Sequence, residues 1–446
     1  MRNKRIIADT LVMSRIKIKN FGPIRDGFIE NDGWMDVKKV TVLIGDQGSG
    51  KSTMAKLVSI FSWFEKYIVR NGFPQLTTSI FKNLCTQQDI SEYFNDNTYI
   101  AFEGDVCNFE YDERNNSFKG SLNGNRLGNY VIPKIQYISS ARNLLTILYT
   151  LSIQSIAGKE GNLIDLASNI PFMVRDLNNE YLKALSELAK DGFQLPLNET
   201  SVYFQNHRTF IKTKDKEVTM YAASSGVQSI TPLMLVSHYL SNEVQKDLFF
   251  KVQFIDNNLK NRIESKLRNE NEILADNFNK YCSLGKEVLS NDEVLALESR
   301  LKNFINSSFI NIVEEPEQNL FPSSQQKVLY SLLEHNNAID NNKLIVTTHS
   351  PYIINYLMLA IKALEIEQKA GNNQDIKSKI YEIVPEKALI PLQSVAIYEL
   401  DEQTGNISRL ENSMGLPSNE NYLNNELGET NMLFSNLMEI EDLCGE

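Results

Sequence analysis

The residues from Gly45 to Thr53, GDQGSGKST, have the spacing of a phosphate-binding loop, G-x-x-x-x-G-K-[ST]. Glycines let backbone N–H groups surround phosphate oxygens, and a helix that follows adds the positive end of its dipole. In this pattern Lys51 reaches the terminal phosphates of a nucleotide and Ser52 offers a hydroxyl to Mg²⁺. The predicted ATP-binding residues are Gly45, Gln47, Gly48, Ser49, Gly50, Lys51, Ser52 and Thr53.

A second candidate group is the run of carboxylates in FINIVEEPEQNLFP, from Phe309 to Pro322. Its first half reads as a buried strand, and P-loop ATPases hold Mg²⁺ with an acid at the end of such a strand, the position of Glu314. One residue beyond, Glu315 points to the other side of the strand, where its carboxylate can orient or deprotonate an attacking water. Glu317 receives no role from the sequence. Three solvated glutamates at a strand end are the alternative.

The segment that follows predicts a strand, helix, strand unit. SSQQKVLYSLLEH reads as a helix with Ser323 and Gln326 in a capping box, and Lys343–Thr348 reads as a buried strand ending at His349. Such a unit is a parallel crossover, so Glu315 and His349 should lie at the same carboxyl edge of one sheet. His349 is then a candidate catalytic residue that donates a hydrogen bond to the γ-phosphate. A histidine that only caps the strand is the alternative.

A third candidate site is AASSGVQS, residues 222–229, where two hydroxyls and a glycine precede a predicted helix. A helix N-terminus of this composition binds anions, although an ordinary N-cap gives the same pattern. The candidate residues are Ser224, Ser225, Gly226 and Gln228.

The surrounding elements are readable from hydrophobic patterning. VTVLI, ending at Ile44, predicts a buried strand before the phosphate loop, and KSTMAKLVSIFSWF predicts a helix after it. Between Thr98 and Ile138, alternating pieces separated by turn sequences predict an antiparallel meander that includes YVIPKIQYI. Residues 143–195 read mainly as helix, and a hairpin around KDKE precedes a helix that starts near Gly226. Residues 242–303 are charged and helix-prone, without a sustained heptad.

The composition is that of a soluble globular protein with more than one subdomain. The chain has 446 residues, 42% hydrophobic and 23% charged. No stretch approaches the roughly 20 apolar residues of a membrane span. The N-terminus lacks a signal core, so we expect a cytoplasmic protein without membrane partners, with Met13 as its natural start. Because Cys85, Cys107, Cys282 and Cys444 form no C-x-x-C pair, a zinc module or a disulfide framework is disfavoured.

The net charge of -11 is concentrated at the C-terminus. Residues 399–446 contain eleven acidic residues and one basic residue, Arg409. The rest of the chain is therefore nearly neutral, and the acidic balance does not exclude a nucleic-acid-binding face on it.

Taken together, these motifs resemble the ABC-type ATPase superfamily, and within it the soluble heads related to RecF, Rad50 and the overcoming-lysogenization-defect (OLD) proteins. GDQGSGKST is similar to Walker A, SSGVQ to the signature motif, NIVEEPEQNLFP to Walker B with its D-loop, and TTHS to the switch-histidine segment. The resemblance implies an α/β fold with a mostly parallel P-loop core sheet, an antiparallel β lobe and a helical subdomain. It implies ATP and Mg²⁺ as cofactors, and a homodimer or higher homo-oligomer in which the signature residues Ser224, Ser225, Gly226 and Gln228 act in trans.

The same resemblance suggests five segments along the chain. They are an ATPase lobe with Walker A and the meander (13–142), a helical subdomain ending in the signature motif (143–241), a helical insertion (242–303), a core half with Walker B and the switch histidine (304–398), and an acidic C-terminal segment (399–446).

Some positions depart from the family pattern. An aspartate is usual where this chain has Glu314. The family also uses a glutamine ligand of Mg²⁺, for which Gln136 in KIQYISSARN is the best candidate, with Gln87 and Gln88 as alternatives. Arg142 is similar to an arginine of AAA-type relatives, and a solvated surface arginine is its alternative. The expected metal ligands are Ser52, Glu314 and Gln136.

The first interpretation of function is an ATP-driven switch that controls an effector protein such as a nuclease in bacterial anti-phage defence, similar to the ATPase subunits of PARIS and Septu systems. Fewer than 100 residues follow His349, and they show no acidic block of the kind that OLD nucleases add. The alternative is a RecF-like ATPase that binds DNA directly. A transporter subunit is disfavoured because residues 242–303 separate the signature helix from Walker B. A simple P-loop kinase needs neither SSGVQ nor the EEPE and TTHS pair.

Overall fold

The structure is a computed structural model that describes residues 14–123, 130–145, 171–197 and 199–410, with short stretches beyond 410. Its strands are β1 (Ser14–Lys19), β2 (Gly27–Phe28), β3 (Met35–Val37), β4 (Val40–Gly45), β5 (Tyr99–Glu103), β6 (Cys107–Asp112), β7 (Ser117–Leu122), β8 (Pro133–Ile138), β9 (Phe193–Gln194), β10 (Ser201–Gln205), β11 (Arg208–Lys212), β12 (Glu217–Thr219), β13 (Ser308–Glu314), β14 (Lys343–Thr348), β15 (Val395–Leu400), β16 (Asn406–Arg409), β17 (Asn412–Ser413) and β18 (Leu416–Pro417). Its described helices are α1 (Lys51–Asn71), α2 (Thr78–Gln87), α3 (Phe172–Leu188), α4 (Ser225–Glu243), α5 (Leu248–Gln253), α6 (Asn257–Glu270), α7 (Glu272–Leu284), α8 (Asn291–Leu301), α9 (Pro322–Asn337), α10 (Pro351–Ala370) and α11 (Gln374–Ile383).

The central sheet has the order β2-β16-β15-β4-β14-β13-β8. The five strands β15, β4, β14, β13 and β8 are parallel, and β16 runs antiparallel to β15. Every residue of β4 and β13 is buried, as expected of strands covered on both faces. The structure thus confirms the α/β class with a mostly parallel sheet. It also confirms the crossover, because β13, α9 and β14 follow one another and the two strands pair in parallel.

The predicted meander is only partly confirmed. Strands β5, β6 and β7 form an antiparallel sheet with β1 and β3, in the order β3-β1-β5-β6-β7. The segment YVIPKIQYI was wrongly assigned to this sheet. Its strand β8 pairs in parallel with β13, from Ser308 opposite Pro133 to Val313 opposite Ile138. The alternation of PKIQYI marks a strand but does not identify its partner, which lies about 175 residues later in the chain.

Separate hydrophobic clusters cover the two faces of the central sheet. Leu43 and Ile312 point towards α1 and the β3-β1-β5-β6-β7 sheet. Val42 and Val313, their neighbours in sequence, point towards α3, α4, α9 and α10. A third sheet, β12-β11-β10-β9, rests on this second cluster. Helix α4 begins at Ser225, which confirms the helix predicted near Gly226, and the β11–β12 turn at KDK confirms the predicted hairpin.

Residues 242–303 are helical, as predicted. Helices α5 to α8 enclose a hydrophobic cluster of their own, which includes Phe249, Leu267, Phe278 and Leu297. No described helix is long and apolar enough to cross a membrane.

One predicted helix start is wrong. Helix α9 begins with Pro322 and its N-cap is Phe321, so Ser323 already lies in the first turn and forms no capping box with Gln326. A proline is preorganised for the first helical position, which fixes the start two residues earlier than a cap at Ser323 would.

Candidate functional site

The phosphate-binding loop joins β4 to α1 at the carboxyl edge of the central sheet, the edge formed by the ends of β4, β13 and β14. Gly45, Gly48 and Gly50 have positive φ angles of 143°, 79° and 101°. A Cβ on Gly45 would lie 2.2 Å from the carbonyl oxygen of Leu400, so only glycine fits there. The N–H groups of Gly48 and Gly50 have no acceptor among the described residues. Together with the first N–H groups of α1, they are available donors for an anion.

Lys51 is folded back onto this loop. Its Nζ donates to the carbonyls of Gly45 at 2.9 Å and Asp46 at 2.6 Å, and lies 3.4 Å from the Ser49 hydroxyl. Burial lowers the pKa of Lys51 to about 8, against the opposite influence of nearby carboxylates, Glu315 first among them. The ammonium is therefore poorly solvated, and a phosphate group would provide the counter-charge that burial denies it. Glycine cradle, free N–H donors and lysine together fit a triphosphate.

Glu314 is brought next to Ser52 by Tyr137. The hydroxyl of Tyr137 donates to Oε1 of Glu314 at 2.5 Å and accepts a hydrogen bond from Ser52. The backbone N–H of Ser140 donates to the other oxygen, Oε2, at 2.9 Å. Burial raises the pKa of the Tyr137 phenol well above its usual range, so it stays a neutral donor. Hydroxyl and carboxylate oxygens are ligands that suit Mg²⁺, and Ser52 is exposed. Ser52 and Glu314 fit the predicted metal site, with Tyr137 between them.

The structure does not place Gln136 at this site. It faces Asn311 in the β8–β13 register, three residues before Glu314, and so lies within the sheet and not at its edge. Its Nε2 is 3.3 Å from a carboxylate oxygen of Asp176 on α3. Side chains alternate along a strand, so Gln136 and Tyr137 point to opposite faces. Tyr137, and not Gln136, therefore points to the face where Glu314 is contacted, and the role of Gln136 as a metal ligand stays a prediction.

Glu315 lies just beyond β13 in a strained backbone conformation, with φ at 44°. Its N–H donates to the carbonyl of Thr347, and its carbonyl accepts from Arg142 at 2.7 Å. These bonds hold the backbone on both sides, while the carboxylate is half-exposed. The side chain is thus directed from a fixed base into accessible space, as a group acting on water requires.

His349 meets Glu315 at the same edge, as the crossover predicted. Nε2 of His349 lies 3.9 Å from Oε1 of Glu315, and the ring hydrogen-bonds with the carbonyl of Gly45. The pKa of His349 is lowered, first by burial and then by the Lys51 ammonium, although Glu315 and Asp46 oppose this. A neutral imidazole carries one N–H, which here is donated to the carbonyl of Gly45 and would have to change partner to reach a phosphate.

Glu317, which received no role from the sequence, supports the histidine. Its Oε1 accepts from the Thr348 hydroxyl and from the backbone N–H of His349, both at 2.8 Å. Its Oε2 is buried without a partner among the described residues. Burial raises the pKa of this carboxyl. Glu317 therefore fixes the end of β14 and, through it, the position of the imidazole.

Arg142 is a buried arginine and not the solvated one left open by the sequence, with 1% of its surface exposed. Its guanidinium donates to the carbonyls of Glu314 and Glu315 at 2.7 Å each, and to the carbonyl of Ser229 on α4 at 3.0 Å. Burial lowers its pKa to about 10. A single side chain thus connects the end of β13 with the helix that carries the predicted signature residues.

The predicted signature residues lie on a neighbouring surface. Ser224 is the N-cap of α4 and Ser225 its exposed first residue, and Gln228 donates to the carbonyls of Tyr221 and Ala223. Gly226 is buried, and a Cβ there would lie 2.6 Å from the carbonyl oxygen of Asn319. The contacts of this group thus run within its own turn and to the loop after Glu317. The four residues lie together at the start of α4, whereas the phosphate loop joins β4 to α1.

The sequence did not indicate Tyr137 as part of the site and left the roles of Glu317 and Arg142 open. Tyr137 could have been found only after β8 was placed beside β13. Glu317 could not be assigned because its partners, Thr348 and the backbone of His349, lie beyond helix α9 and nothing in the sequence indicates them. Arg142 lay in the quoted YISSAR segment, but its burial depends on three separate segments meeting around it.

Comparison with protein-family models finds no match for this chain, and comparison with curated proteins finds no related sequence. Among solved structures, the chain is similar to the SMC head domain from Thermotoga maritima, with 11% identity, a TM-score of 0.35 and coverage of 90% of this chain and 99% of that one. A similar match is the SmcHead bound to the C-winged helix domain of ScpA, with 9% identity, a TM-score of 0.39 and coverage of 90% and 98%. A third is the Smc head domain with an extended coiled coil bound to the C-terminal domain of ScpA, derived from Pyrococcus furiosus, with 10% identity, a TM-score of 0.37 and coverage of 90% and 96%. The function has to be inferred from the residues of the site itself.

Proposed function

We propose that this chain is an ABC-type ATPase that binds and hydrolyses ATP with Mg²⁺ and dimerises head to head around the nucleotide. The observation that carries the proposal is the meeting of Lys51, Glu315 and His349 at one sheet edge, from three different segments of the chain. A cation, a carboxylate and a neutral imidazole around one phosphate-binding loop are the groups that phosphoryl transfer to water needs.

The side chains would divide the work as follows. The N–H groups of the loop and Lys51 bind the phosphates, and Ser52 and Glu314 hold Mg²⁺, which supplies charge neutralisation when bound. Glu315 orients the attacking water and takes its proton, and His349 donates a hydrogen bond to the phosphate that departs. Glu317 and Arg142 keep these groups in place, which matters because a shift of about 1 Å costs roughly 100-fold in rate.

The dimer is supported by the position of Ser224, Ser225, Gly226 and Gln228. Ser224 and Ser225 are exposed at the start of α4, while Gly226 and Ser229 contact the loop after Glu317. Helix N-termini bind anions, so an exposed one with two hydroxyls is suited to the γ-phosphate held by a second copy. A C2 arrangement would place two such composite sites in each dimer.

A second part of the proposal concerns the protein on which the ATP-bound dimer acts. On the resemblance of its motifs to ATPase heads of anti-phage systems, we propose that the ATP-bound dimer controls an effector protein, with a nuclease as the partner class, in bacterial anti-phage defence. Native mass measurement of the protein purified with its untagged genomic neighbours tests this part, and a homo-oligomer without any second protein would contradict it.

The catalytic part is tested with Glu315→Gln. The amide keeps the shape of the side chain but cannot take a proton, so we expect the variant to bind ATP, to lose hydrolysis and to accumulate as a dimer in light-scattering chromatography with Mg²⁺ and ATP. Glu287→Gln, a matched change at an exposed site in the helical insertion, should behave as the wild type. A Glu315→Gln variant that hydrolyses ATP at the wild-type rate and stays monomeric would contradict the assigned role.

A further inference from the structure

The outer face of the β12-β11-β10-β9 sheet combines aromatic and basic side chains. In the antiparallel register, Tyr203 faces Phe210, and Gln205 faces Arg208. Because side chains alternate along a strand, Arg208, Phe210 and Lys212 share this face. The opposite face, with Val202 and Ile211, is buried against the core. One face of the sheet therefore packs against the hydrophobic core, and the other face carries side chains that do not.

This face is concave. A cavity of about 530 Å³ lies over it, lined by the two rings and by the polar side chains of Gln205, Asn206, Arg208, Lys212 and Glu217. The lining thus combines two aromatic rings with a larger number of polar and charged side chains. Its position, on a sheet separate from the central one, distinguishes it from the phosphate loop.

The Tyr203 ring packs closely against the backbone at Gly192. Gly192, with φ at +101°, lies under it, and a Cβ on that glycine would be 2.7 Å from the ring. The Nζ of Lys212 lies over the Tyr203 ring, 5.8 Å from its centroid. A ring fixed in this way loses little conformational entropy when another flat group stacks on it.

The cations stand at the two ends of the aromatic pair. Arg208 and Lys212 are four positions apart, a span of about 13 Å along β11, with Phe210 midway. Within the described part of the chain, neither cation forms an ion pair. Residues 201–219 contain four basic and two acidic side chains, in a chain of net charge -11. The face thus carries a local excess of positive charge, with Glu217 opposite Lys212 in the β11–β12 register as its one carboxylate among the lining residues.

We propose that this outer face binds a single-stranded nucleic acid, with bases stacked on Tyr203 and Phe210 and phosphates contacted by Arg208 and Lys212. Half-buried aromatic rings on a small antiparallel sheet, flanked by basic groups, can stack with unpaired bases, which present flat faces in every sequence. An acidic peptide would satisfy the cations but would leave the paired rings unused. The site does not depend on the ATPase activity proposed above.

The test is fluorescence anisotropy with labelled single-stranded DNA and RNA of mixed sequence, without nucleotide, at increasing salt. The wild type should bind, and its affinity should fall steeply with salt because phosphate contacts release counterions. Tyr203→Ala with Phe210→Ala should weaken binding about tenfold or more. Arg208→Glu with Lys212→Glu, both at exposed positions, should abolish it.

Two controls separate this site from general charge and from the phosphate loop. Lys19→Glu with Lys119→Glu makes the same charge change at exposed strand positions elsewhere and should leave binding intact. Lys51→Ala should lose ATP turnover and still bind the oligonucleotide, so failure of one proposal is visible apart from failure of the other.

Three results would overturn the proposal. They are no binding by the wild type even at low salt, unchanged binding by Arg208→Glu with Lys212→Glu, and binding of a polyglutamate probe as tight as that of the oligonucleotide, which would assign the face to an acidic protein partner.

Discussion

The carboxyl edge of the central sheet and the outer face of the β12-β11-β10-β9 sheet differ in how far their polar groups are already bonded. At the edge, Lys51, Glu314 and Arg142 each make hydrogen bonds within the protein before any ligand arrives. On the outer face, Arg208 and Lys212 have no ion-pair partner among the described residues. The first arrangement fixes positions in advance, as chemistry requires. The second leaves side chains adaptable, as binding of variable ligands allows.

Substitutions at the edge should therefore abolish ATP turnover. Substitutions on the outer face should weaken ligand binding by degrees and in a salt-dependent way. The largest expected effect is that of Lys51→Ala, because no other described cation occupies the phosphate loop. We expect ATP turnover to fall roughly 100-fold or more, with weakened nucleotide binding. A steady-state phosphate-release assay measures this. Lys56→Ala, a half-buried lysine on the same helix, is the control and should keep most of the activity.

A second prediction concerns Arg142. Arg142→Met removes the guanidinium donors to the carbonyls of Glu314, Glu315 and Ser229 and should lower the free energy of unfolding by about 3 kcal/mol. Urea unfolding provides the measurement. Arg262→Met, at an exposed position, should change stability by less than about 0.5 kcal/mol. Equal effects of the two substitutions would mean that the buried network does not hold the edge in place.

A third prediction concerns Glu317 as a positioning residue. Glu317→Ala removes the acceptor for the N–H of His349 and the hydroxyl of Thr348, so the imidazole should lose its fixed place. We expect kcat to fall roughly tenfold while KM for ATP changes little, because the phosphate loop is untouched. Glu317→Gln keeps one oxygen acceptor and should recover part of the rate. A change in KM alone would instead assign Glu317 to nucleotide binding.

The smallest expected effect is a pH dependence of ATP binding. The pKa of Lys51 is lowered to about 8, so the free protein loses this proton as the pH rises through 8. A bound phosphate favours the ammonium, so binding near pH 8 should take up protons, and affinity should fall by up to about tenfold per pH unit above it. Calorimetry in two buffers of different ionisation enthalpy measures the uptake. Lys51→Ala should remove it, and proton release by the wild type would contradict it.

The sequence predicted those parts of the site that are encoded locally. The phosphate loop is a glycine pattern between a strand and a helix, and the edge position of Glu315 and His349 follows from one crossover of about 40 residues. Continuous apolar runs such as β4 and β13 also mark parallel strands by themselves.

What could not be predicted depends on pairing between distant segments. β8 has the same alternation in either sheet, so its pairing with β13 could not be predicted from the sequence. The choice of Gln136 rests on the glutamine ligand of the family, whereas the contact of Tyr137 with Glu314 depends on the placement of β8 beside β13. Glu317 and Arg142 act through backbone groups of other segments, and backbone partners leave no residue-type signal in a sequence.

The central claim is that the site of one chain is completed by the signature residues of another, and complementation tests it most directly. Lys51→Ala damages the phosphate loop, and Ser225→Arg blocks the signature surface while sparing ATP binding by its own loop. Each variant alone should be inactive. Mixed in equal amounts, they should recover about a quarter of the wild-type rate per chain, since half of the dimers are mixed and each of these has one intact site. A mixture no more active than the separate variants, or a Ser225→Arg variant that hydrolyses ATP normally alone, would contradict the account.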